Sequence, residues 1–302
     1  MYEDFISIAD LTREDILELL DSAADLKKKL KANANYRPLF GKTLAMVFEK
    51  PSLRTRVTFD IGMFQLGGHS VFLQTTLGER EGVPDIARNL ERWADGIVAR
   101  TRSHEAVLEL ANYSSVPVIN ALTDELHPCQ VLADAQTVIE HKGSLEGRKI
   151  VFVGDGNNVF ASWANLATRL EFDLTLVCPK GYELEGEAHE RARREAKGAY
   201  TVCNDPAEGV PGADVVYTDV WASMGQEDET AKRAADFAPY QVDQRMMDLA
   251  GEQALFMHCL PAHREEEVTH EVIESDASVV FDQAENRLHA QKAILVKLMG
   301  DA

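Results

Sequence analysis

The stretch TLAMVFEKPSLRTR, residues 43–56, decides the fold of this chain. It begins with an apolar run at residues 44–48, typical of a buried strand, and passes through Pro51 into a helical pattern. A strand that feeds a helix exposes unpaired backbone N–H groups at the positive end of the helix dipole. Together with two hydroxyls and a guanidinium within residues 52–56, this predicts a phosphate site, with an ordinary capped helix as the alternative.

The same alternation of strands and helices continues along the chain, on both sides of a boundary marked by Gly143 and Gly147. The strand-like runs are residues 44–48, 70–73, 96–99 and 116–120 before the boundary, and 149–153, 174–177, 215–218, 254–257 and 279–281 after it. Such alternation is typical of parallel sheets covered by helices on both faces. We therefore predict two doubly wound α/β domains, residues 1–140 plus 285–302 and residues 141–284, with the C-terminal helix returning to the first domain.

Composition limits the possible partners and compartments. A formal net charge of −19 argues against a nucleic-acid partner, which needs a basic face. The chain has no apolar run of membrane-spanning length and an acidic start, so we expect neither a membrane span nor a signal peptide. The four cysteines form no CxxC pair, which favours reduced thiols in a cytoplasmic protein. The expected partners are therefore small molecules.

His127 and Gln130 flank Pro128, which is well placed as the first residue of a helix. The loop after strand 116–120 brings them to the edge where open α/β sheets bind ligands. A neutral imidazole there could donate to a carbonyl or phosphate oxygen. The alternative is a loop histidine with a structural hydrogen bond.

Two more polar segments directly follow apolar strands. In the first, the carbonyls of Cys259 and Leu260 could accept hydrogen bonds from a substrate –NH₂ group. A nucleophilic cysteine is one alternative, and a metal site formed with His258 and His263 is another, although the spacing fits no zinc pattern. In the second segment, Asp219 could hold a substrate ammonium or simply cap a helix.

The segment Gly154-Asp155-Gly156-Asn157-Asn158-Val159 is similar to a dinucleotide-binding fingerprint. However, Val159 stands at the third glycine position, and the next strand is not followed by the acidic residue that binds a ribose. A nicotinamide-dependent dehydrogenase is therefore disfavoured. We predict no cofactor and no metal, and expect Asn157 or Asn158 to approach a polar small molecule.

Together these segments resemble the carbamoyltransferases, and within them the ornithine carbamoyltransferase family. Five family motifs occur in family order: Ser-x-Arg-Thr-Arg at 52–56, His-Pro-x-Gln-x-Leu-x-Asp at 127–134, Asp-x-x-x-Ser-Met-Gly at 219–225, His-Cys-Leu-Pro at 258–261 and the run at 281–291. The resemblance covers about residues 5–299. Leu53 departs from it, because many relatives carry threonine there, and can offer little beyond its backbone N–H.

The resemblance implies a reaction of arginine biosynthesis. The carbamoyl group of carbamoyl phosphate passes to the δ-amine of L-ornithine, giving L-citrulline and phosphate without a covalent enzyme intermediate. The implied catalytic residues are Arg54, Arg100, His127 and Cys259. Carbamoyl phosphate would be bound by Ser52, Leu53, Arg54, Thr55, Arg100, His127, Gln130, Cys259, Leu260 and Arg287, and ornithine by Asn158, Asp219, Ser223 and Met224. A homotrimer, or a multiple of trimers, is also implied.

Other functions remain open on the sequence alone. Acetylornithine and putrescine carbamoyltransferases share much of the pattern, whereas aspartate carbamoyltransferase is expected to lack the Ser-Met-Gly loop and the His-Cys-Leu-Pro turn. The loop at residues 219–225 favours unmodified ornithine, since a free α-ammonium needs a carboxylate partner. A non-catalytic relative that only binds carbamoyl phosphate is the alternative from another class.

Overall fold

A computed structural model describes residues 3–222 and 227–300 of the chain. The chain divides into two compact units. The first comprises Met1–Gln136 and Glu285–Ala302, and the second is the contiguous segment Thr137–Ala284.

The first unit is built on a parallel sheet of four strands within the described residues. Its elements are α1 (Arg13–Lys31), β1 (Thr43–Phe48), α2 (Leu53–Gln65), β2 (His69–Gln74), α3 (Val83–Leu90), β3 (Gly96–Arg100), α4 (His104–Tyr113), β4 (Val118–Leu122) and α5 (Pro128–Lys142), which continues into the second unit. The strand order is β2-β1-β3-β4, so the winding reverses between β1 and β3. Open sheets bind ligands at the carboxyl ends of the strands that flank such a reversal.

The central strand of this sheet shows why the sequence folds this way. Residues 44–48 of β1 are all buried, and β1 pairs in parallel with β2 on one side and β3 on the other. A strand covered on both faces must be apolar throughout, which is why this run has no alternating polar residues.

The second unit is built on a parallel sheet of five strands within the described part of the chain. Its elements are β5 (Lys149–Val153), α6 (Asn158–Ala167), β6 (Asp173–Val177), α7 (Gly186–Glu195), β7 (Tyr200–Cys203), α8 (Pro206–Gly209), β8 (Val215–Thr218), α9 (Thr230–Phe237), α10 (Gln244–Ala250), β9 (Leu255–His258), α11 (His270–Ile273) and α12 (Val280–Met299). The strand order β7-β6-β5-β8-β9 places the reversal between β5 and β8.

Helix α12 begins in the second unit and from Glu285 onward belongs to the first. Within the first unit, Lys27 Nζ on α1 donates to Asn286 Oδ1 at 2.8 Å, and Lys292 Nζ donates to Gln65 Oε1 at 3.0 Å. The predicted fold of two doubly wound parallel-sheet domains, with the last helix returning to the first, is confirmed.

Two predictions about strands need correction. Residues 279–281 are not a strand: Ser278 forms an isolated bridge with Phe256, and α12 begins at Val280. Conversely, the pattern missed β7, an edge strand without a fully buried residue. Among the described residues, no helix combines the length and apolar character needed to cross a bilayer.

Candidate active site

The predicted phosphate turn, residues 52–56, lies beyond the carboxyl end of β1, beside the reversal point of the first sheet. Ser52 is the extended residue before α2, and its hydroxyl makes no capping bond to that helix. The first-turn N–H groups of α2 therefore lack a partner within their own helix, as at any helix start. Thr55 is buried, while the side chain of Leu53 is exposed and points away from the core. This arrangement suits an anion that is held by backbone donors.

His127 is the buried centre of the positive cluster in the first unit. Burial, and then the charge of Arg287, hold the pKa of His127 well below its ordinary value of 6.5. Arg100 and Arg54 lower this pKa further. The imidazole is therefore neutral at physiological pH and can donate one N–H to a substrate oxygen. The structure thus brings together four predicted residues from four different elements or loops.

Arg287 links the positive cluster to side chains of α2 and α5. Its guanidinium donates through Nη2 to Thr55 Oγ1 at 3.2 Å and through Nη1 to Gln130 Oε1. The Gln130 amide in turn donates through Nε2 to Asp134 Oδ1 at 2.8 Å. Asp134 thereby fixes which way the Gln130 amide points, with its oxygen toward Arg287.

Glu49 is a residue of this edge that the sequence analysis did not single out. Its Oε2 accepts from the backbone N–H of Arg102 at 2.8 Å, and its Oε1 accepts from that of Leu77 at 3.3 Å. The N–H of Glu49 also donates to the Arg100 carbonyl at 3.0 Å. One carboxylate thus joins the turns after β2 and β3, and no sequence motif around it signals this role.

Asp219 is the centre of the polar cluster in the second unit, directly after β8. Its Oδ1 accepts from the Val220 N–H at 2.8 Å and from the Cys259 thiol at 2.9 Å, and its Oδ2 accepts from Asn157 Nδ2 at 2.7 Å. Asn157 also caps α6, accepting from the N–H groups of Val159 and Phe160. The Asn157 side chain therefore bonds both to Asp219 and to the start of α6, whereas Asn158 is the first residue of that helix.

The turn after β9 is held by a buried histidine–glutamate pair. The Leu260 N–H donates to His258 Nδ1 at 2.8 Å, so the ring proton lies on Nε2, which donates to Glu267 Oε1 at 3.0 Å. Leu260 has φ +57° and is followed by a cis peptide bond to Pro261. The pair fixes the backbone whose carbonyls were predicted to bind the substrate amide. Neither the pairing nor Glu267 was apparent from the sequence.

The metal alternative can be compared with this geometry. Candidate ligand atoms of Asp219, His258 and Cys259 all lie within 4.8 Å of one another. However, both ring nitrogens of His258 are engaged in hydrogen bonds, and the Cys259 thiol donates to Asp219. A metal ion would have to replace these bonds.

The predicted ornithine-binding residues Ser223 and Met224 lie outside the described residues.

Comparison with known proteins identifies the class that this fold and these clusters define. The sequence model of the carbamoyl-P binding domain of aspartate/ornithine carbamoyltransferases matches residues 3–140, and that of the Asp/Orn binding domain matches residues 146–298. The chain belongs to the aspartate/ornithine carbamoyltransferase family. The second match extends through most of α12, although α12 from Glu285 onward packs in the first unit.

Within that family, the similar relatives are ornithine carbamoyltransferases. The chloroplastic enzyme of Pisum sativum is 51% identical over 302 residues, 99% of this chain and 80% of the relative. That of Carboxydothermus hydrogenoformans is 52% identical, covering 98% of this chain and 97% of the relative. The solved structure from Pyrococcus furiosus superimposes with a TM-score of 0.96 at 47% identity, covering 99% and 98% of the two chains. The Thermus thermophilus structure gives 0.89 at 42% identity, covering 99% of each.

Proposed function

We propose that this chain is an enzyme that transfers the carbamoyl group of carbamoyl phosphate to the δ-amine of L-ornithine, producing L-citrulline and phosphate. The observation that carries the proposal is the cluster of Arg54, Arg100 and Arg287 around the neutral, buried His127. Three guanidinium groups in an acidic protein form a local field suited to a small, highly charged anion. The domain matches and the relatives support the same reaction.

On the phosphate side, we infer that the anion is bound by the backbone of the turn at Ser52 and Leu53 and by the side chains of Arg54 and Thr55. Arg287 donates to both Thr55 and Gln130 and adds its guanidinium to the donors around that turn. We infer that Arg100 and the His127 N–H stabilise the charge that develops on the carbamoyl oxygen. Donors fixed in advance cost no reorganisation during the reaction, which is the main source of such stabilisation.

On the amine side, we infer that Asp219 and Asn158 hold the amino-acid substrate, together with Ser223 and Met224. The fixed carbonyls of Cys259 and Leu260 would accept from the carbamoyl –NH₂ group. The δ-amine must be uncharged to attack the carbonyl carbon, forming a tetrahedral intermediate that collapses by expelling phosphate. The leaving phosphate can itself take the amine's proton, so positioning supplies the rest of the catalysis.

The hydrogen bond of Cys259 bears on the covalent alternative. Its thiol donates to Asp219 Oδ1 at 2.9 Å, so the sulfur is held beside a carboxylate. A nucleophilic Cys259 would have to give up this hydrogen bond, and the proposed reaction needs no covalent intermediate. We therefore assign Cys259 to orienting Asp219 and the substrate amine rather than to covalent catalysis.

The decisive experiment is a citrulline assay on the purified chain with carbamoyl phosphate and, in parallel, ornithine, N-acetylornithine or putrescine. We expect turnover with ornithine at a kcat/KM well above that of the other two amines. A preference for another amine would overturn the assignment of substrate. Tight binding of carbamoyl phosphate with no turnover of any amine would instead identify a non-catalytic relative.

We also infer that the chain forms a homotrimer or a multiple of trimers. The support is an exposed apolar stripe on α2: Leu53, Val57, Ile61 and Phe64 are 41% to 79% exposed and recur at helical spacing. Val71, on the adjacent edge strand β2, is also exposed. Large apolar side chains beside an open sheet edge are typical of a surface covered by another copy.

Light scattering after size-exclusion chromatography measures this assembly. Ile61→Glu combined with Phe64→Glu should convert trimers into smaller species. Trp93→Glu introduces the same charge at another exposed aromatic residue of the first unit and should leave the assembly unchanged. A monomeric wild type, or a double variant with unchanged mass, would contradict the inference.

Further proposals concern domain roles and compartment. We assign carbamoyl phosphate binding to residues 1–140 plus 285–302 and ornithine binding to residues 141–284. All four cysteines lie within the described residues and are unbridged, which suits the reducing cytoplasm. A role in arginine biosynthesis there follows from the reaction. Loss of citrulline synthesis in a cytoplasmic extract after deletion of the gene is the test.

A further inference from the structure

Arg233 on α9 is a buried arginine that the reaction scheme does not use; only 6% of the residue is exposed. Its Nη1 donates to Asp155 Oδ2 at 2.8 Å and to the Trp221 carbonyl oxygen at 3.0 Å. Its Nε donates to Glu229 Oε2 at 3.0 Å. One guanidinium thus joins the turn after β5, the segment after β8 and the start of its own helix α9.

Two of these segments carry the ornithine-binding residues. Asp155 lies in the turn after β5, two residues before Asn157, and Trp221 lies two residues after Asp219. The same two segments also meet directly, because Asn157 Nδ2 donates to Asp219 Oδ2 at 2.7 Å. Both follow the strands that flank the reversal point of the sheet. Arg233 is therefore a second link between the segments.

The surroundings hold the Arg233 guanidinium in one place. The centre of its guanidinium lies 5.0 Å from the centroid of the Tyr182 ring, within cation–π range. Phe237 packs edge-on against Tyr182 at 4.6 Å and stacks on Trp221 at 6.0 Å. Asp155, its ionic partner, has a side chain only 11% exposed. Such a pair cannot lose one member without leaving a buried charge uncompensated.

We propose that Arg233 is a positioning residue that fixes Asp219 and the Asn157–Asn158 turn in the geometry that binds the amino-acid substrate. This inference rests on the proposed function, since it assumes that ornithine is bound there. It also assigns a role to the fingerprint-like glycine turn: Asp155 anchors the turn to Arg233. Misplacing reactive groups by about 1 Å can cost up to about a hundredfold in rate.

The test measures KM for both substrates in Arg233→Gln and Arg233→Lys. We expect KM for ornithine to rise on the order of tenfold to a hundredfold in the glutamine variant. The lysine variant should show a smaller rise, because lysine keeps the charge but not the planar fork. KM for carbamoyl phosphate should stay within about twofold of wild type. Partial unfolding lowers kcat for the whole preparation and leaves KM unchanged. A loss of stability alone therefore cannot produce the expected rise in KM for ornithine.

Arg148→Gln is the matched control. Arg148 directly precedes β5, at the amino end of this central strand, and also binds a carboxylate and a carbonyl: it donates to Asp214 Oδ1 at 3.0 Å and to the Lys142 carbonyl oxygen at 2.8 Å. Its loss should lower the melting temperature and leave both KM values unchanged. Asp155→Asn breaks the Arg233 pair from its other side and should reproduce the rise in KM for ornithine.

The outcomes separate this inference from the function on which it rests. If the wild type makes no citrulline, the proposed function fails first. If the wild type is active and both Arg233→Gln and Asp155→Asn keep the wild-type KM for ornithine, only the role of Arg233 is refuted. If Arg233→Gln does not fold, Arg233→Lys and Asp155→Asn decide the question. An equal rise in both KM values would also refute the role.

Discussion

Acidification should destabilise the first unit through His289 on α12, a residue with no exposed surface. Burial, and then the charge of Lys292, lower the pKa of His289 from 6.5 to about 4. Glu285 acts in the opposite direction, and Lys27 in the same direction as Lys292. In the unfolded chain the imidazole recovers its ordinary pKa. Between these two values the unfolded state therefore binds a proton that the folded state does not.

The sign and size of the effect follow from that difference. Stability is fully present above pH 6.5 and is lost as the pH falls toward 4, because the unfolded state binds more protons in this range. The whole difference in pKa would correspond to about 3 kcal/mol. Only part of this difference is expressed between about pH 7.5 and pH 5, because the folded-state pKa of about 4 lies below that range. We therefore expect a loss of about 1–2 kcal/mol between about pH 7.5 and pH 5.

Urea unfolding of the wild type and of His289→Gln over this pH range measures the loss. The variant cannot take up the proton, so its free energy of unfolding should fall less by about 1–2 kcal/mol. His69→Gln, at an exposed histidine of the same unit, controls for the loss of an imidazole and should follow the wild type. The same acid loss in His289→Gln as in the wild type would refute the reasoning.

Three further substitutions test the site and the fold. Arg54→Gln should lower kcat/KM for citrulline formation on the order of 10²–10³, because one charged donor to the transition state is lost. Cys259→Ser should retain measurable turnover, reduced by about tenfold, since a hydroxyl can still donate to Asp219. Gly156→Ala should lower the melting temperature, because an added Cβ would lie 2.3 Å from the Leu184 backbone nitrogen. Overpacking of this kind costs about 1–3 kcal/mol.

Two of these substitutions, Arg54→Gln and Gly156→Ala, have a matched control in the chain. Arg56→Gln removes an exposed arginine that lies over the Phe72 ring and should preserve activity. Gly82→Ala meets only an ordinary contact at 3.7 Å, so it should lower the melting temperature by no more than the loss of a helix N-cap residue costs, and by less than Gly156→Ala. Full activity of Arg54→Gln, a carbamoyl adduct on Cys259 detected by mass spectrometry, or an unaltered melting temperature of Gly156→Ala would each contradict its prediction.

Features that depend on residues close together in the sequence can be predicted from it. The run at residues 44–48 is apolar enough to define a buried strand, and His127 and Asp219 follow strands closely enough to be placed at a carboxyl edge. The same reasoning wrongly predicts a strand at the apolar residues 279–281: α12 begins at Val280, and Phe281 is exposed. The roles of individual site residues stay predictions, and two of these residues, Ser223 and Met224, lie outside the described part of the chain.

Contacts between distant residues could not be predicted. Arg233 looks like an ordinary surface arginine on a polar helix, and its buried partner Asp155 lies 78 positions away. Glu49 precedes the phosphate turn, yet both groups that it binds come from later loops. Such contacts depend on how strands pair, and a single sequence shows a helical or strand pattern without showing which strands become neighbours.

The placement of α12 has a consequence for the order in which the protein is made. Arg287 joins Thr55 and Gln130 across 232 and 157 positions of sequence, so these links cannot form before residue 287 has been made. The second unit, Thr137–Ala284, is contiguous and is synthesised before Arg287. The first unit is thus begun before the second unit and completed after it, and the nascent chain lacks the Arg287 links of the positive cluster until the second unit has been made.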